Sequence, residues 1–180
     1  MIYEIEDLQE TQARLGVNGN ASALAELGHS VAACFSSAGT PIEDRFTQML
    51  DAACTAFEMD QAFVTLRNRA QISARFCSSG AHAPKMRKDR LYLSQWMLTH
   101  QKPLALDHRP RNAVPQHCDL TGHRPTRFLG APIFFDGRIY GTLECTGAHC
   151  ETAPLGDLET AVIELLCVIS AAPLVLLGTA

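Results

Sequence analysis

The sequence predicts an α+β domain, with one antiparallel sheet, helices against one face and loops over the other. Three observations carry this. Two segments, 62–77 and 128–145, combine apolar alternation with a hairpin turn. Helical spacing gathers before the first of them and after the second. The strand–helix–strand alternation that a parallel sheet requires does not run through the chain.

The elements follow in order. Residues 1–15 place Ile2, Ile5, Leu8 and Leu15 among Glu4, Glu6, Asp7 and Glu10, which reads as a short acidic amphipathic helix. Gly16-Val17-Asn18-Gly19-Asn20 breaks it. Leu24, Leu27, Val31, Cys34 and Phe35 keep helical spacing. Thr40-Pro41-Ile42-Glu43 is a helix start, with Thr40 as cap, Pro41 in the first turn and Glu43 closing a capping box. Ile42, Phe46, Met49, Leu50, Ala53 and Phe57 line one face of the helix it opens.

Period two then takes over. Ala62, Val64 and Leu66 alternate with Phe63, Thr65 and Arg67, and a second run, 72–77, follows Asn68-Arg69-Ala70. Residues 81–90 read as a basic loop. Leu91–His100 predicts a short helix carrying Trp96 and Met97, and Leu104–Leu106 a short strand. Residues 107–127 form a long proline- and arginine-bearing loop, of the kind that usually carries function. Phe128–Phe135 and Arg138–Cys145 flank Asp136-Gly137, a type I′ turn signal. Asp157 is expected to cap a last helix whose face is Leu158, Val162, Leu165, Leu166 and Ile169, and Pro173 to end or kink it.

The whole chain is 180 residues, one domain by size and able to bury roughly 70% of its unfolded surface. Apolar residues make up 47% and the net charge is −4, which excludes a disordered chain. Glu164 and Pro173 interrupt the apolar stretch Val162–Leu177, so no membrane span is expected. The acidic start predicts no secretory leader, and seven scattered cysteines fit a reducing cytoplasm rather than a disulfide framework. Charge is uneven: residues 80–140 hold ten Lys/Arg against four Asp, net +6, and the rest of the chain is net −10.

Arg127-Phe128-Leu129-Gly130-Ala131-Pro132-Ile133-Phe134-Phe135-Asp136-Gly137-Arg138-Ile139-Tyr140-Gly141-Thr142-Leu143 resembles the strand-turn-strand signature of GAF domains. Glu43–Arg67 and Leu91–Leu106 resemble the flanking helix-and-strand segments of that family. The resemblance covers residues 22–172, leaving 1–21 as an N-terminal helix and linker and 173–180 as an apolar tail. It implies a PAS-like fold with a five- or six-stranded antiparallel sheet and a small-molecule pocket under the loops. It also implies a non-catalytic sensor in bacterial-type signal transduction, with terminal helices that form a homodimer. Gly130 and Gly141, on adjacent strands, mark places of close approach.

Strand parity then places the pocket. Ile139, Leu143 and Cys145 should face the helices, so Tyr140, Thr142 and Glu144 face the loops together with Thr65. From the loop side Trp96, Met97, His108, His117, Cys118, His123 and Arg127 complete the expected lining. Arg109, Arg111, Arg124 and Arg127 suggest an anionic ligand, because guanidinium forks match carboxylate or phosphate. The Asn-Lys-x-Phe-Asp-Glu set of cyclic-nucleotide GAF domains is absent.

Four alternatives attach to particular residues. Gly122–Gly130 is similar to a sensor-kinase GAF segment in which a subset binds haem through a histidine, here His123. Bilin-binding GAF domains attach their chromophore near the position of Cys118. A GAF-fold reductase of free methionine sulfoxide uses pocket cysteines, for which Cys77 and Cys118 would serve, although that family's Gly-Val-Cys-Gly segment is missing. Zinc on Cys145, His149 and Cys150 with His117 and Cys118 matches no strong spacing, and no metal site is expected. The basic segment has too few aromatics to suggest nucleic acid.

Overall fold

The computed structural model of the chain describes residues 20–36, 39–68, 71–79, 92–106, 127–147 and 154–178. The expected helix at 1–15, His108, His117, Cys118, His123 and the arginines 109, 111 and 124 lie outside them. The described elements are α1 (Asn20–Ser36), α2 (Ile42–Phe57), β1 (Gln61–Asn68), β2 (Gln71–Cys77), α3 (Tyr92–His100), β3 (Leu104–Leu106), β4 (Arg127–Phe135), β5 (Arg138–Gly147) and α4 (Asp157–Gly178). The five strands form one antiparallel sheet in the order β2-β1-β5-β4-β3.

The helix starts differ from the expected ones. Pro41 occupies the N-cap position of α2 and no side chain caps it, so the Thr40–Glu43 capping box does not form. Glu43 and Asp44 still place negative charge in the first turn, where the helix dipole favours it. One half of such a box appears at α4 instead. There the Gly156 N–H donates to Glu159 Oε2 at 2.9 Å, and the Gly156 carbonyl accepts from the Thr160 N–H at 3.2 Å. Asp157 is therefore the first helical residue rather than the cap.

The main core lies between the sheet and α1, α2 and α4. Phe46, Met49, Leu50, Ala53 and Phe57 from α2 meet Ala62 and Val64 of β1, Leu129, Ala131 and Ile133 of β4, and Leu143 and Cys145 of β5. The Phe46 and Phe76 rings stack at 4.3 Å. From α4, Ile163, Leu166, Cys167, Ala171 and Leu174 close the layer.

Pro173 does not end α4, which continues to Gly178. Leu174 is buried in the core of its own chain. Burying a leucine is worth roughly 2 kcal/mol, which offsets much of the hydrogen bond that proline removes. By length and composition α4 is long and apolar enough to cross a membrane, and 33% of that apolar window is buried inside the molecule.

A smaller cluster lies on the other face of the sheet. Leu93 and Met97 of α3 pack on Phe128, with Trp96, Leu104 and Leu106 beside them. Asp136 and Gly137 both have positive φ (48° and 70°), as a type I′ turn requires.

Candidate functional site

The two faces of the sheet can be told apart residue by residue. Leu143 and Cys145 belong to the helix-covered core, so Thr142, Glu144 and Thr146 project from the opposite face. Thr142 pairs across the ladder with Thr65 on one side and Pro132 on the other. Glu144 pairs with Phe63 and Gly130, and Phe63 in turn with Cys77. A continuous row, Cys77–Phe63–Glu144–Gly130–Leu104, thus crosses all five strands on the loop-facing side.

The centre of that face is polar and buried. Thr65, Thr142 and Glu144 are all buried. The Thr142 hydroxyl donates to Glu144 Oε1. With its single proton so used, Thr142 accepts from the Thr65 hydroxyl at 2.6 Å. The network is polarised toward the carboxylate. Ser94, buried on α3, and Thr146 add two more buried hydroxyls.

Above this floor Gly130 and Met97 form a close pair. A Cβ on Gly130 would lie 2.9 Å from Met97 Sδ, so the missing side chain is what lets α3 approach the sheet. Trp96 is half-buried on α3 and stacks on His100 at 4.2 Å. Gly141 is still more constrained, because a Cβ there would sit 1.8 Å from the Thr65 carbonyl oxygen.

The structure brings Thr65, Met97, Thr142 and Glu144 together on one face, with Trp96 on the helix that covers it. Two residues stand elsewhere. Arg127 lies on the helix-facing side, because it precedes Phe128 by one residue and Phe128 faces α3. Its side chain is 2% exposed, with Nη1 3.9 Å from Glu58 Oε2 near the C-terminal end of α2. Tyr140 sits at the irregularity where Ile133 pairs with Gly141 and Phe134 with Ile139. It is half-buried, its ring 6.1 Å from that of Phe135, toward the hairpin tip. Ile139 lies beyond the same irregularity and is half-buried. Phe63, Ser94, Phe128 and Thr146 belong to the loop-facing side without having been singled out from the sequence. Parity alone, extended from Thr142 through the neighbouring strands, would have found Phe63, Phe128 and Thr146.

The described thiols divide in the same way. Burial pushes the Cys54 thiol up to about 11, with a hydrogen bond from Ser78 acting against it. Burial pushes Cys145 and Cys167 further up. All three are on the core side, neutral and poor nucleophiles. Cys77 alone among the described cysteines lies in the loop-facing row. Among the described residues no group of three or more His, Cys, Asp and Glu could hold a metal ion.

The GAF domain family model matches residues 41–172, most of the chain. The chain belongs to the GAF domain family. Such domains are typically sensory or regulatory. Solved structures agree on the fold. A GAF domain of a phosphoenolpyruvate-protein phosphotransferase from Coxiella burnetii is 18% identical, with TM-score 0.60 over 85% of this chain and 90% of that one. The GAF domain of a putative sensor histidine kinase from Pseudomonas syringae pv. tomato is 20% identical, with TM-score 0.55 over 93% of each chain. The free methionine-R-sulfoxide reductase of Neisseria meningitidis, solved with its substrate, is 14% identical, with TM-score 0.61 over 83% of this chain and 84% of that one. No curated protein matches the chain.

Proposed function

We propose that this GAF domain is a non-catalytic cytoplasmic sensor that binds a small polar molecule over the loop-facing side of its sheet. The observation that carries the reading is the buried Thr65–Thr142–Glu144 network at the centre of that face, away from the main core. Buried polar groups cost stability unless they are used, and a purely structural sheet face would be filled with apolar side chains. A carboxylate and two hydroxyls at the floor suit a ligand that presents a hydrogen-bond donor. An anionic group on the same ligand would be met by Arg109, Arg111 and Arg124. Arg127, on the far face, is not part of that recognition.

The test is thermal unfolding of the full chain with a millimolar panel of amino acids, dicarboxylates and nucleotides. At least one compound should raise Tm for the wild type and lose that effect in Thr142→Val. A panel on which no compound acts, or acts equally on both proteins, contradicts the reading. An absorption spectrum of the purified protein distinguishes the chromophore variants, since bound haem or bilin would show as a Soret or red band.

A second reading is supported by Cys77, which shares its row with Phe63 and Glu144. As a free methionine sulfoxide reductase, the domain would use Cys77 and Cys118 as nucleophile and resolver. NADPH consumption with thioredoxin, its reductase and free methionine sulfoxide, abolished by Cys77→Ser, would favour this reading over binding alone.

A further inference from the structure

Helix α4 carries two apolar faces, and only the inner one, with Ile163, Leu166, Cys167 and Leu174, is buried in the core. The outer face presents Leu158, Ala161, Leu165, Val168, Ala172 and Val175, at successive steps of 3, 4, 3, 4 and 3 residues. That 3.5-residue repeat suits contact with one other helix along its length. The large members are open: Leu158 is 44% exposed, Leu165 56% and Val168 69%. An uncovered apolar helix face marks a partner surface.

The charge beside this stripe describes the partner. Asp157 and Glu164, both exposed, each stand one residue before a stripe leucine, so two acids line the same edge seven residues apart. The opposite edge, Val162, Ile169 and Leu176, is uncharged. Edge charges of this kind decide which helix pairs with which. A second copy would bring two more acids and no base to match them. The layer around α4 is acidic as well: α1 adds Glu26 and α2 adds Glu43, Asp44 and Asp51, against Arg45 alone. A lipid surface fits no better. Helices that lie on one carry Lys and Arg beside Trp, Phe or Leu, and α4 has no Lys, Arg, Trp, Tyr or Phe.

We propose that the outer face of α4 docks a basic amphipathic helix of another protein. That helix carries an apolar stripe of the same repeat, with Lys or Arg seven residues apart along the edge that meets Asp157 and Glu164. Ala161 and Ala172, alternating with larger residues, leave room for the partner's own apolar side chains. Leu165 and Val168 anchor the contact, while the exposed acids give selectivity and speed of association more than affinity. No charge follows Glu164 in α4, so the partner's bases lie toward one end of its stripe and the rest of the contact is apolar.

The test uses two synthetic helical peptides of about three heptads, with leucine at the a and d positions. One carries lysine at the flanking positions and the other glutamate. Fluorescence anisotropy measures their binding to the full chain at low and high salt. The lysine peptide should bind with a micromolar Kd, at least roughly tenfold tighter than the glutamate peptide, and the preference should shrink in high salt. Asp157→Asn with Glu164→Gln should abolish the preference. Leu165→Asn with Val168→Asn should abolish binding of both peptides while circular dichroism stays unchanged, since both side chains are exposed. No binding by the wild type, equal binding of the two peptides, or a preference that either double variant leaves intact overturns the proposal. Sedimentation and vesicle flotation of the chain alone test the other occupants. A dimer that Leu165→Asn with Val168→Asn disperses would assign the face to a second copy, and flotation lost in the same variant would assign it to lipid; either result also overturns the proposal.

Discussion

Single residues in this domain do different work from what their type suggests. Arg127 looks like a ligand-binding arginine in the sequence, yet it fills the helix-facing side of the sheet next to Glu58. Arg127→Ala should therefore cost about 3 kcal/mol in urea unfolding, because it leaves a void where a buried side chain packed and removes the contact with Glu58. It should leave unchanged the Tm increment of any compound that binds. The glycines give a sharper contrast. Gly141→Ala would force a Cβ to within 1.8 Å of the Thr65 carbonyl, and overpacking against backbone of this kind costs at least about 3 kcal/mol. Gly28, in α1, has open space around it. Gly28→Ala should stabilise the protein by about 1 kcal/mol, measured in the same titration.

The buried thiols set a pH dependence. An unfolded cysteine ionises near its ordinary value of 9.0, while folded Cys54 keeps its proton up to about 11. The folded pKa is the raised one, so this stabilisation is complete below pH 9 and is lost as pH rises toward 11. Stability followed by denaturant midpoints from pH 8 to 11 should fall across that window. A flat profile would contradict a protonated, desolvated Cys54.

At the scale of elements, the register of β4 and β5 decides what the site contains. Asp136-Gly137 fixes the turn, and the alternation that follows places Thr142 and Glu144 opposite the core. Both features were legible in the sequence because a one-residue slip would invert every side chain. The irregularity at Tyr140 was not legible, since nothing in the local composition announces an extra residue there. The same parity argument, applied to Arg127, would have put it on the helix side. Its arginine chemistry drew it into the pocket instead. Helix α4 shows the opposite limit. Proline 173 argued for a stop, but burial of Leu174 carries the helix through it. Leu174→Ala should cost about 3 kcal/mol, as a core truncation does, whereas Leu176→Ala, exposed, should cost little in a monomer. Gly130→Ala probes the approach of α3. The Met97 thioether can shift, so the stability loss should be about 1 kcal/mol, while affinity for a ligand on that face should change more.

Across the whole molecule, the sheet separates two surfaces with different tasks. One face packs α1, α2 and α4 into a dry core; the other holds hydroxyls and a carboxylate under α3. Helix alternation, turn signals and strand parity made this division readable from the amino-acid sequence. The ligand was not readable in the same way. Specificity depends on which loop side chains converge in three dimensions, and His108, His117, Cys118 and His123 have no periodic constraint that fixes where they point. The fold likewise hosts both sensors and a reductase, so the chemistry of the face has to decide between them.

That decision is most directly made by equilibrium dialysis of the purified chain against a cytoplasmic metabolite extract, with the retained molecules released by heat and identified by mass spectrometry. The account predicts a polar compound retained by the wild type, recovered chemically unchanged and absent from Thr142→Val and Glu144→Gln. Equal retention by all three proteins would contradict the assignment of this face as the binding site. Recovery of methionine from added free methionine sulfoxide, dependent on Cys77, would replace the sensor with an enzyme.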